Sequence, residues 1–159
     1  MKLLHLLAAL AVGMAASVHA ADTPGASPAP SAGPPSAAER LASARRMIEL
    51  QDFRRAEREL AAALRDQPDN ADAHNLLGYA YRKRPSPDLG KAFEHYQAAL
   101  RLDPQHKGAH EYIGEAYLLD RKPDQAEKHL AQLEQICGNR SCEEYQDLAK
   151  AIAAYKSRQ

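Results

Sequence analysis

Charge of one sign, tryptophan, cysteine and long apolar runs are all scarce in this sequence, and most of these scarcities remove a class of function. The 21 Lys and Arg residues balance 21 Asp and Glu, so the formal net charge is zero. Without a basic excess there is no electrostatic footprint for nucleic acid or for an anionic membrane. Tryptophan is absent, and the two cysteines are Cys137 and Cys142. With residues 138–141 between them they form neither a Cys-x-x-Cys redox motif nor a Cys-x-x-Cys-His haem site. No phosphate-cradling glycine loop, His-Glu-x-x-His or nucleophile elbow occurs, and the acids scatter along helix surfaces. The reading is a protein that is not an enzyme, with no catalytic residues, no cofactor and no metal.

Apolar residues run together only at the N-terminus. Leu3 to Ala16, broken by His5, follows the lone charge of Lys2. Val18-His19-Ala20 then offers the small or modest residues that a signal peptidase reads, so residues 1–20 are expected to be a cleaved secretory signal. An uncleaved anchor is the alternative, but the run is short for one. No Cys follows it to carry a lipid, and no later segment is apolar enough for membrane insertion. Cleavage removes Lys2 and takes the formal charge from zero to −1. Alanine and arginine usage with a short signal points to a Gram-negative bacterium, hence a periplasmic or secreted location. Residues 21–36 follow as a linker with five prolines and no large apolar side chain. Such a segment cannot pack and reads as an extended tether, with a PxxP ligand role as the alternative.

From Ala37 the apolar spacing is helical, and strand alternation is absent. Leu41, Ala44, Met47 and Ile48 share the face of a first helix. Phe53, Ala56, Leu60, Ala63 and Leu64 line a second, which stops before Pro68. A pattern then recurs. Pro68, Ala73-His74, Leu77-Gly78 and Tyr81 return 36 residues later as Pro104, Ala109-His110, Ile113-Gly114 and Tyr117. Between them Ala92, Tyr96, Ala99 and Leu100 line a fourth helix, and Ala126, Leu130, Leu133 and Ile136 a sixth. Asn70 or Asp72 is expected to cap the third helix, and Ser86-Pro87 to open the fourth. Self-similarity at this period means stacked helix pairs rather than one closed core.

The pattern resembles the tetratricopeptide repeat family. Leu77, Gly78, Tyr81, Ala92, Tyr96, Ala99 and Pro104 match one whole repeat of its consensus. Ile113, Gly114, Tyr117 and Ala126 match most of another, and Ala44, Ala56, Leu60, Ala63 and Pro68 a weaker first one. The expected fold is all-α: a right-handed solenoid of three such helix pairs with a C-terminal capping helix. The domain would span residues 37–157, with repeats at about 37–70, 71–106 and 107–137 and the cap at about 142–156. The family's first-position Trp is missing, and His74 and His110 occupy that region. Tyr81 stands eleven residues before Ala92, whereas Met47 to Ala56 and Tyr117 to Ala126 are nine. The 36-residue offset is therefore a 34-residue repeat with two residues inserted in the Arg82–Pro87 turn. Gly78, Gly114 and Ala44 are expected where the helices of a pair approach, opposite Ala92, Ala126 and Ala56. Tyr81 and Tyr117 would fill the space between repeats.

The resemblance implies a non-catalytic interaction module, a scaffold or adaptor whose concave groove holds another protein or peptide, here a periplasmic one. By repeat position the groove is lined by Arg45, Asn75, Tyr79, Arg82, Glu111 and Glu115, with Leu41, Ile48 and Leu118. It would run from basic (Arg45, Arg82) to acidic (Glu111, Glu115) and suit a partner of mixed charge. Family members that hold a C-terminal carboxylate do so with a basic clamp. The matching positions are Leu41, Arg45, Leu76, Gly108 and Tyr112, of which Arg45 alone is basic, so that clamp is not expected. A self-associating spacer, a homo-oligomer filling its own groove, is the alternative, and a metal- or redox-linked accessory role a weaker one.

Gly138 is expected to end the sixth helix in a left-handed conformation. Ser141 and Glu144 form a capping box for a seventh, lined by Tyr145, Leu148, Ile152 and Tyr155. Cys137 and Cys142 flank this turn, and in an exported protein a disulfide is the leading reading, a redox pair the alternative. His106 and His110, four apart beside Glu111, are a weak metal pair; His95 and His129 read as surface residues. Arg82-Lys83-Arg84 is either a solvated basic run on the inserted turn or a docking spot for an acidic partner.

Overall fold

The computed structural model describes residues 33–159 and contains seven helices. The expected signal and most of the expected linker lie outside these residues. The helices are α1 (Ala37–Glu49), α2 (Phe53–Asp66), α3 (Ala71–Lys83), α4 (Leu89–Leu102), α5 (Lys107–Leu119), α6 (Pro123–Cys137) and α7 (Glu143–Lys156). No helix among the described residues is long and apolar enough to cross a membrane.

Short polar side chains start most helices by accepting from otherwise orphaned N–H groups. Ser36 forms a capping box with Glu39, and Asp52 and Asn70 cap α2 and α3. Two sequence expectations fail here. Asp88, not Ser86, caps α4 by accepting from the Lys91 amide, because the inserted residues lengthen the turn past Pro87. At α7 the N-cap is Cys142, with no side-chain cap bond; the Ser141 hydroxyl instead donates to Asn139. Gly138 does take the left-handed conformation, at φ 69°.

The helices pack as three antiparallel pairs, each on the next, with α7 lying against both α5 and α6. First helices of successive pairs also meet, α1 on α3 and α3 on α5, whereas α2, α4 and α6 do not touch one another. One row is thus closed up and the other splayed. The array curves with α1, α3 and α5 on its inner side, which is how a solenoid makes a concave surface.

Alanines and glycines allow the close approach. Ala44, Ala56, Ala92 and Ala126 are fully buried. A Cβ at Gly78 would lie 2.8 Å from the Tyr96 ring and 3.1 Å from the Ala92 carbonyl, so α3 meets its own partner α4 there. Gly114 differs from expectation: its close neighbour is Leu148 of the capping helix, at 2.6 Å, rather than α6. Tyr81 packs against the clusters of both the first and second repeats, and Tyr117 meets Phe93 of the preceding one at 4.7 Å.

His95 and His129 are not surface residues. His74 and His95 place their Nδ1 atoms 3.0 Å apart, and His110 and His129 place theirs 2.9 Å apart. The other nitrogen of each first histidine meets the Pro68 or Pro104 carbonyl at 3.0 Å, which makes that nitrogen the N–H donor. The second histidine then donates to a bare Nδ1. Tyr81 stacks on His95 and Tyr117 on His129. Ring centroids are 5.3 and 5.2 Å apart, larger than the nitrogen distances by two ring radii. Each N···N line thus runs straight through both rings. That is a linear N–H···N bond and not two lone pairs converging on a metal. Burial and the neighbouring histidine lower the His129 pKa to about 4, and push that of His95 down too, so these two imidazoles are neutral at pH 7.

Gly78→Ala is expected to destabilise the domain by about 1–3 kcal/mol through overpacking. Alanine's helix propensity, better by about 1 kcal/mol, works the other way. Urea denaturation of the variant measures which effect wins; a more stable Gly78→Ala would show that the Tyr96 ring yields.

Candidate functional site

The inner row carries one dense constellation, at the junction of α3, α5 and α7. Its centre is Arg82, 6% exposed in the last turn of α3. Its Nε donates to the Tyr96 hydroxyl of α4 at 3.2 Å, and its Nη1 pairs with Glu115 of α5 at 2.6 Å. The guanidinium lies over the rings of Tyr79 and Tyr112, 5.2 and 5.5 Å from their centroids. Those rings sit 4.8 Å apart. Phe53, at the start of α2, continues the aromatic line 6.4 Å from Tyr79. Burial raises the Tyr79 hydroxyl pKa and pushes that of Tyr112 to about 12, so both are neutral donors.

Arg82 Nη2 and Asn75 Oδ1 are buried without a hydrogen-bond partner. Asn75 fits because position 108 is glycine: a Cβ there would lie 3.1 Å from the Asn75 amide nitrogen. Arg45 reaches from α1 to Asp72 of α3 at 3.1 Å, and the other Asp72 oxygen meets His106 Nε2 at 3.0 Å. That pair is half exposed and contributes about 0–1 kcal/mol.

Glu111 is 9% exposed and makes no hydrogen bond or ion pair among the described residues. Burial raises its carboxyl pKa to about 8, helped by Glu115, Asp147 and Glu144 and only partly opposed by Arg82. At neutral pH it is largely a neutral acid facing the groove.

All six residues expected in the groove therefore lie on the inner helices, but their charges are distributed differently from the expected basic-to-acidic run. Both arginines are already paired. The net charge left over is acidic and lies at the α5–α7 end. Leu118, expected in the groove, is covered by α7. The Arg82-Lys83-Arg84 run is not a loop patch. Arg82 and Lys83 belong to α3, and Arg84 turns away from Arg82, over the Tyr81 ring to Asp88 and Glu57. Sequence reasoning missed Glu144 and Asp147, because only the docking of α7 on α5 brings them to Glu111. His106 and His110 do not form a metal pair: His106 caps α5 and His110 meets His129. The Cα atoms of Cys137 and Cys142 are 6.2 Å apart, within the span a disulfide bridges.

A family model of the tetratricopeptide repeat matches residues 41–106 and 88–141. The chain belongs to the tetratricopeptide repeat family. No curated protein matches it with significance. Among solved structures it is similar to the first tetratricopeptide domain of Spaghetti (RPAP3), bound to the HSP90 peptide SRMEEVD. The TM-score is 0.66 at 14% identity, covering 77% of this chain and 94% of that one. It is also similar to the first such domain of human RPAP3 in solution, with a TM-score of 0.64 at 15% identity over 80% and 100% of the two chains. At such identity the likeness establishes the fold: an all-α tetratricopeptide solenoid of the kind that serves as a protein-interaction module.

The raised Glu111 pKa has a measurable consequence. Unfolded, this carboxyl ionises near 4.5; folded, it keeps its proton to about 8. Between those values the unfolded state binds fewer protons, so stability falls as pH rises. Glu111→Gln is expected to match the parent near pH 4 and to be the more stable protein at pH 8. Urea midpoints across that range check this; parallel curves would contradict it.

Proposed function

We propose that the concave face of α1, α3 and α5 binds an extended or helical segment of another protein, and that the chain works as an exported, periplasmic adaptor. The observation that carries the binding reading is the half-buried aromatic pair Tyr79–Tyr112 on the inner row, with polar groups left unpaired beside it. Aromatic anchors flanked by arginine are what interaction hot spots are built from. The RPAP3 neighbour holding a peptide supports the same use of the fold. Its peptide, SRMEEVD, is acidic. Of the clamp positions here Arg45 alone is basic, and it is paired with Asp72, so a C-terminal carboxylate ligand is not the reading adopted.

Export rests on the N-terminal apolar run and on the cysteine pair. Outside the cytoplasm a Cys137–Cys142 disulfide would pin α7 to α6 and so hold Glu144 and Asp147 at the groove.

The test is capture of partners from periplasmic extract on the immobilised domain. Tyr79→Ala is expected to weaken retention by about 2 kcal/mol or more, roughly thirtyfold, with helicity preserved and the domain still folded. Arg45→Glu is expected to weaken it less. Native protein isolated from the periplasm should show no free thiol. Undiminished retention by Tyr79→Ala would overturn the groove; two free thiols would overturn the disulfide.

A further inference from the structure

The groove also indicates the chemistry of its partner, on the assumption that the groove reading above holds. We propose that its α5–α7 end seats an arginine or lysine side chain, among Glu111, Glu115, Glu144 and Asp147, so that the segment bound is a basic one.

Charge is left unmet at that end of the groove. The two arginines of the inner face are already used, and Lys83 lies toward the Tyr79 ring. Arg45 holds Asp72, and Arg82 holds Glu115 while lying on the Tyr79 and Tyr112 rings. His106 meets the second Asp72 oxygen. Glu111 is nine-tenths buried with nothing paired to it. The groups around it are Arg82 and Tyr79 from α3, Glu115 and Tyr112 from α5, and Glu144 and Asp147 from α7. Arg82 alone among them is positive, and its short bond goes to Glu115. A mostly buried carboxyl without a protein partner gains when a ligand supplies a cation beside it.

A metal ion is the other occupant that carboxylates invite. The geometry disfavours it. Calcium requires six to eight converging oxygens. Among the described residues, no three of these four carboxylates bring their oxygens within 4.8 Å of one another. Carboxylates spread over two helices suit the forked, multi-donor head of an arginine or the three donors of a lysine.

Binding would move a proton. With a cation beside it, Glu111 ionises and gives its proton to solvent. Affinity should therefore rise with pH up to about 8, where free Glu111 ionises unaided, and level off above.

The probes are three acetylated, amidated nonapeptides of alternating alanine and leucine, with Arg, Gln or Glu at the central position. Each is titrated calorimetrically into the whole domain at pH 7 in two buffers of different ionisation enthalpy. The Arg peptide is expected to bind roughly tenfold tighter than the Gln peptide, and the Glu peptide weakest. Proton release should accompany the Arg peptide alone and vanish in Glu111→Gln. Asp147→Asn, at an exposed position of α7, should weaken the Arg peptide without changing stability. If all three peptides bind equally and Tyr79→Ala abolishes all of it, the groove stands and the cation site falls. If no peptide binds, or Tyr79→Ala changes nothing, the groove reading falls and this proposal with it. Tighter Arg binding with proton release unchanged in Glu111→Gln also overturns it.

Discussion

One guanidinium joins the inside of this solenoid to its concave face. Arg82 belongs to α3, bonds Tyr96 of α4, pairs with Glu115 of α5 and lies against Tyr79 and Tyr112. Tyr96, fully buried, is also the ring that fills the space left by Gly78. Close packing within the second repeat and the shape of the groove are thus fixed by the same few atoms. Burial penalises the charge, and a planar five-donor head with an ionised partner and two aromatic faces can offset that where an ammonium could not. The pairing also ties Arg82 to Glu115, so that it only partly offsets the burial of Glu111.

The fold was legible because repetition writes the same physical demand more than once. Small residues at 44, 78, 92, 114 and 126 and tyrosines at 81 and 117 read as packing requirements from their spacing alone, and the structure buries or crowds the small ones. The histidines were half legible. His74 and His110 stood out as recurring, but His95 and His129 recur as well, each three residues after Ala92 or Ala126. Taken singly they look like solvent-facing positions; the cross-helix partner that makes them structural is more than twenty residues away in one pair and nineteen in the other.

The inner-helix positions were legible in the sequence, and their pairing was not. Repeat register put Arg45, Asn75, Tyr79, Arg82, Glu111 and Glu115 on the inner helices. It could not say which would pair with which, since Arg45–Asp72 and Arg82–Glu115 are inter-helix contacts set by how one repeat leans on the next. The capping helix hid most from sequence. It reads as a lid on the open end of the core, and it is one: Leu148 closes over Gly114. It also contributes Glu144 and Asp147 to the face that remains open.

Arg82, unlike Arg45, is a structural tie. Equilibrium urea denaturation of Arg82→Met beside Arg45→Met tests it most directly. Arg82→Met should lose about 1.5–3 kcal/mol or more, because it strands Tyr96 and Glu115 at charge-assisted bonds. Arg45→Met, at the exposed pair, should lose about 0–1 kcal/mol. Equal, small losses from both variants would contradict it.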